Sequence, residues 1–125
     1  MGKDKLDSIF KLQEKFDTEI IKNRNLENVT PKEWILKETL AIVSELAELI
    51  SEANFKWWKN EKEINWQNVK EELVDILHFF VSMCLKVDMT SEDLYELYIK
   101  KNKENFDRQH GLSDKSGYEI KIPKE

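Results

Sequence analysis

The sequence predicts an all-α protein, a bundle of four to five helices, on three observations. Apolar residues recur at intervals of three and four along most of the 125 residues, the spacing that keeps side chains on one helical face. Only three glycines and two prolines interrupt them. Two successive helical stretches also carry acid pairs at i,i+3, Glu45/Glu48 and Glu72/Asp75, each beside an apolar flank. The length suits a single domain over residues 1–125, and 40% hydrophobic residues with 10% aromatics support a folded core.

The first helix is expected from Lys3 to about Asn23, where Leu6, Ile9, Phe10, Leu12, Phe16, Ile20 and Ile21 share a face. Within it, Gln13 and Asp17 lie at i,i+4 beside Phe16, a pattern equally consistent with facing a ligand, the core or solvent. Thr30-Pro31-Lys32-Glu33 starts the second helix, with a hydroxyl cap, proline at the first helical position and glutamate three residues after the cap. This helix is expected to run to roughly Trp58, with Glu38, Glu45 and Glu52 stacked seven apart on its acidic edge. Glu38 and Glu52 would either support the site or face water. Of the adjacent Trp57 and Trp58, set about 100° apart in a helix, one is free for a ligand or partner.

Asn60 to Asn65 is a polar connector suited to an antiparallel hairpin. The third helix, roughly Trp66 to Val87, is apolar around most of its circumference after Asp75. Such helices are buried, and a chain this small covers one most easily by dimerising. His78 on this helix is expected to be a hydrogen-bonded core residue, with contact to the acidic site as the alternative. A fourth helix opens at Thr90 or Ser91 with acids in its first turn. Lys101, Asn105 and Arg108, with Asn102 beside them, give its far end a basic face that could hold phosphate oxygens or simply meet solvent. From Ser113 to Glu125 the chain is a polar tail without periodicity, expected to be flexible or to order on a partner subunit.

Composition excludes several classes. A net charge of -5 argues against a general nucleic-acid binder. The single cysteine, Cys84, allows neither an internal disulfide nor a Cys/His zinc site and is expected to be a buried thiol. The charged amino terminus has no apolar core of a signal peptide, and no apolar run suffices to span a bilayer. A cytoplasmic protein without membrane contact is the expectation.

If the two central helices pack through their apolar flanks, Glu45, Glu48, Glu72 and Asp75 meet at the rim of the interface. Like charges at that separation disfavour ionisation. A hard divalent cation is the simplest remedy, and Mg2+ typically completes its coordination with waters and substrate phosphates. The pattern points to phosphate chemistry.

Glu45-Leu-Ala-Glu48 followed by Glu72-Leu-Val-Asp75 resembles the ExxE…ExxD signature of the MazG-like all-α nucleoside triphosphate pyrophosphohydrolases. The Leu12-Gln13 element, Phe55-Lys56-Trp57-Trp58-Lys59, the stretch around His78-Phe79, and Lys101-Asn102 through Asn105 to Arg108-Gln109 make it similar to their dimeric dUTPases. The resemblance covers about Leu12 to Gly111. It implies Mg2+-dependent hydrolysis of dUTP to dUMP and pyrophosphate by a homodimer. It also implies metal binding by Glu45, Glu48, Glu72 and Asp75, with Glu45 orienting the attacking water. Phosphate contacts would come from Lys101, Asn102 and Arg108, and nucleotide contacts from Gln13, Trp57, Phe79 and Asn105. The family commonly follows the glycine of this string with tyrosine. Here Leu112 follows Gly111, leaving Tyr118 to replace the aromatic contact or the contact absent. A pyrophosphohydrolase acting on dCTP or another nucleotide, or a non-catalytic helical dimerisation module, are the competing expectations.

Overall fold

The computed structural model describes residues 4–120, in which four helices and no strand occur. They are α1 (Lys5–Asn23), α2 (Pro31–Glu52), α3 (Trp66–Lys86) and α4 (Ser91–Gln109). Local chemistry sets their starts. Asp4 Oδ1 accepts from the Leu6 and Asp7 amides at 3.0 and 3.2 Å. Thr30 Oγ1 accepts from Glu33 N at 3.2 Å, and Asn65 Oδ1 from Asn68 N at 3.1 Å. Each side chain satisfies an amide that the first helical turn leaves unpaired.

The second helix ends at Glu52, six residues before the expected Trp58. Asn54 adopts a left-handed conformation, φ 56°, which a short polar side chain tolerates and which stops the helix. Its amide then clasps the connector. Nδ2 donates to Lys62 O at 2.6 Å, and Lys62 N donates to Oδ1 at 3.1 Å. Residues 55–58, expected on the helix, therefore lie outside it, with a turn at Trp57 and Trp58.

The chain forms two compact units, Met1–Thr90 and Ser91–Glu125. In the first, α3 packs against both α1 and α2. Contacts of Asp17 with Ser82 and of Gln13 with His78 advance together, so α1 runs parallel to α3. Glu38 meets Ser82 and Lys86 while Glu45 meets Glu72 and Asp75, so α2 runs antiparallel to it. Phe10, Val81 and Cys84 are the buried apolar side chains, with Gln13, Glu38 and Ser82 buried among the polar ones.

The all-round burial expected of α3 is not met within one chain. Leu73, Leu77 and Phe80, spaced along one face, are 52%, 39% and 39% exposed. Cys84 is buried as expected. No described helix is long and apolar enough to cross a membrane.

In the second unit the segment after α4 returns toward the helix end. Leu112 N donates to Asp107 O at 2.8 Å and Ile120 N to Gln109 O at 3.1 Å. Gly111, at φ 71°, makes this reversal. Residues 113–120 contain no helix or strand; the rest of the expected tail, 121–125, lies outside the described residues.

Candidate active site

Glu45 on α2 and Glu72 and Asp75 on α3 each offer a carboxylate oxygen, and these oxygens lie within 4.8 Å of one another. The i,i+3 spacing sets Glu72 and Asp75 on one helical face, and the antiparallel packing brings Glu45 opposite. Glu48 lies outside this set of three but acts on it. The Glu72 carboxyl is pushed up to about 7, first by its hydrogen bond to Glu45, then by desolvation and by the neighbouring charges of Glu48 and Glu45. One oxygen each of Glu45 and Glu72, Oε2 in both, is buried with no hydrogen-bond partner.

From this cluster a cleft of about 500 Å3 runs between α1, α2 and α3. Glu45, Asp75 and Phe79 line one part of it; Gln13, Asp17, Glu38, Ser82 and Lys86 line another. Glu38 precedes Glu45 by two helical turns, about 10 Å of axis. A continuous polar chain crosses the three helices there. The His78 ring, through Nδ1, lies 2.8 Å from Gln13 Oε1, so the nitrogen donates, and Gln13 Nε2 donates to Asp17 Oδ1 at 2.9 Å. Lys86 Nζ donates to Asp17 Oδ2 and Glu38 Oε1, both at 3.2 Å, and lies 4.2 Å from the centre of the Trp34 ring. Two carboxylates, an aromatic face and Ser82 thus balance a cation taken largely out of water.

Several expectations change here. Glu38, expected either to support the acid site or to be solvated, is buried in the polar chain. His78, expected in the core, is exposed and lines the cleft. Gln13 and Phe79 line the cleft as well, whereas Trp57 does not; it is 85% exposed and packs edge-on against Trp58 at 4.6 Å. Because the chain leaves the helix at Asn54, the Trp57 side chain no longer follows the helical register. Trp34, Ser82 and Lys86 join the cleft without having been singled out. The one available signal was Ser82 and Lys86 continuing the Asp75–His78 face at seven and eleven residues.

The second unit holds the remaining expected residues. Arg108 donates through Nη2 to Glu104 Oε1 at 3.0 Å, sits 5.5 Å from the Tyr118 ring centre, and keeps Nε buried without an acceptor. Tyr118 thus supplies an aromatic contact to Arg108 where Leu112 cannot. Lys101 is exposed, 3.9 Å from Glu104, and Asn102 and Asn105 are exposed on the same helix.

The dUTPase family profile matches residues 5–91, which contain all four acids. The chain belongs to the dUTPase family. Among curated proteins, this dUTPase-family chain is 36% identical over 87 aligned residues to a dCTP pyrophosphatase of Enterobacteria phage T4, covering 58% of the chain and 51% of the phage protein. It is 44% identical over 41 residues to a dCTP pyrophosphatase of Enterobacteria phage LZ5, covering 33% and 24%. The chain therefore spans about half the length of the first of these relatives or less. No solved structure gives a significant match.

Proposed function

We propose that this chain is a divalent-metal-dependent pyrophosphohydrolase that converts a pyrimidine deoxynucleoside triphosphate to its monophosphate and pyrophosphate. The observation that carries the proposal is the convergence of Glu45, Glu72 and Asp75 with two buried carboxylate oxygens lacking any donor. Those oxygens fit a hard cation, which would satisfy them and offset the burial and neighbouring negative charge that, after the hydrogen bond to Glu45, raise the Glu72 carboxyl. Glu45, Glu48, Glu72 and Asp75 would hold it, and Mg2+ is the cation suited to all-oxygen donors and phosphates. Bound there, the metal supplies Lewis acidity and positive charge beneath the triphosphate.

The chain's own groups do the rest. Glu45 orients the attacking water, the role that the family resemblance implies for it. The family resemblance implies that Lys101, Asn102 and Arg108 of the second unit would hold phosphate oxygens. Gln13 and Phe79, which line the cleft, contact base and sugar; for Asn105 of the second unit the same role is what the family resemblance implies. Trp57 contacts them only if the Phe55–Lys59 segment folds over the nucleotide. No nucleophilic side chain or covalent intermediate is required.

Family membership supports dUTP as the substrate, and the names of the phage relatives support dCTP equally. The exposed Leu73–Leu77–Phe80 face supports a homodimer. Hydrolysis of dUTP, dCTP, dTTP and UTP by the purified chain, with and without Mg2+, tests the proposal. It expects pyrophosphate and monophosphate in equal amounts, only with metal. Orthophosphate with a diphosphate product would overturn it, as would no turnover of any of the four.

A further inference from the structure

The part of the cleft away from the acid cluster has a lopsided hydrogen-bond inventory. Lys86 has three N–H donors and spends all of them, on Asp17 Oδ2, Glu38 Oε1 and Ser82 Oγ, at 3.2, 3.2 and 3.0 Å. Ser82 has one hydroxyl proton, and its oxygen lies 2.7 Å from Asp17 Oδ2 and 2.6 Å from Glu38 Oε1, so that proton is committed too. Gln13 spends one of its two N–H donors on Asp17 Oδ1. Acceptors remain in excess. Glu38 is only 6% exposed, lines the cleft, and its Oε2 is buried with no donor at all. A buried carboxylate oxygen left this way is unfavourable until an N–H or O–H reaches it.

We propose that Glu38 is a specificity-determining residue: its free oxygen accepts a hydrogen bond from the exocyclic amino group of cytosine and so favours dCTP over dUTP. This rests on the preceding proposal that the cleft takes a nucleotide with its phosphates at Glu45 and Asp75. At ring position 4, cytosine presents an amino donor, and a carboxylate is its natural partner. Uracil presents a carbonyl oxygen at the same position. Two acceptors would then face each other with no proton between them, and both would lose water without gaining a bond. A site built around a substrate N–H rejects the analogue lacking it far more strongly than a purely apolar pocket would. The setting suits a base. Phe16 and Phe79 line the cleft with flat apolar faces. Lys86 and Ser82 pin the other Glu38 oxygen, so the side chain cannot turn away cheaply.

The test compares kcat/KM for dCTP and dUTP in the parent and in Glu38→Gln. Metal-free calorimetry alongside measures binding of dCMP, dUMP and the monophosphate of pyrimidin-2-one deoxyriboside, which has neither the amino group nor the carbonyl at position 4. The parent is expected to favour dCTP by on the order of 10- to 100-fold, and dCMP to bind tighter than both other monophosphates. Glu38→Gln, whose amide can donate to a carbonyl, is expected to bring the dCTP:dUTP ratio to about unity or below. Equal or better use of dUTP by the parent overturns the inference, as does a dCTP preference that survives in Glu38→Gln. Should the variant fail to fold, the parent's binding order decides: dCMP no tighter than the pyrimidin-2-one compound overturns it. A parent that prefers dCMP in binding yet hydrolyses no triphosphate upholds the base contact and removes the hydrolase proposal. Hydrolysis without preference does the reverse.

Discussion

Lys86 on α3 reaches Glu38 on α2 at 3.2 Å, with side chains 12% and 8% exposed, and the same ammonium group holds Asp17 of α1 at 3.2 Å. One cation therefore fastens all three helices of the first unit at the wall of its cleft. Both carboxylates depend on it, because Ser82 can give only one proton between them.

Lys86→Met should accordingly lower stability by about 3–5 kcal/mol, the range for breaking a buried pair by removing one partner. Urea denaturation followed by circular dichroism measures this. A loss below about 1 kcal/mol, typical of exposed pairs, would mean that water reaches the network freely.

The pH dependence of the metal-free protein follows from Glu72, whose carboxyl is raised from 4.5 to about 7. Between those values the folded chain keeps a proton that the unfolded chain has released. Stability from this group is therefore full below pH 4.5 and is lost as pH rises through about 7. The melting temperature should fall between pH 5 and 8, and Glu72→Gln should flatten that slope. An identical slope in parent and variant would contradict the coupling to Glu45.

Removing one acid should separate chemistry from folding. Glu48→Gln is expected to reduce kcat by on the order of 100-fold or more, as loss of a group that stabilises developing charge does. Its apo melting temperature should stay at or above the parental value, since the variant removes a charge that acts on Glu72. Steady-state kinetics beside a thermal melt tests both halves; parental turnover would remove Glu48 from the site.

Leu73, Leu77 and Phe80 give the self-association prediction. Introducing aspartate at Leu77, in the middle of that exposed face, should convert a dimer to a monomer in light scattering. A parent that is monomeric at micromolar concentration would rule this out.

Much of this fold was legible in the sequence, and for identifiable reasons. The cap at Thr30 and the i,i+3 acid pairs are local chemistry, read directly from neighbouring residues. The end of α2 was not, because leucine-like periodicity continues through Phe55 and Trp58 while a single left-handed Asn54 stops the helix. Lys86 was also missed, and Glu38 was read only as supporting the acid site or facing water. On its own helix each is one charged residue among many, and only the tertiary pairing across 48 residues of sequence turns them into a buried network. His78 illustrates the converse: its apolar neighbours suggested a hydrogen-bonded core residue, and it does bond to Gln13 of another helix, but from an exposed place in the cleft.

The central claim is that Glu45, Glu48, Glu72 and Asp75 form a divalent-metal site. Titration of Mn2+ into the parent and into Glu72→Gln, with free ion followed by electron paramagnetic resonance at pH 8, tests it most directly. The account predicts saturable loss of the free-ion signal with the parent and binding weakened by on the order of 10-fold or more in the variant. Indistinguishable isotherms for the two proteins would contradict it.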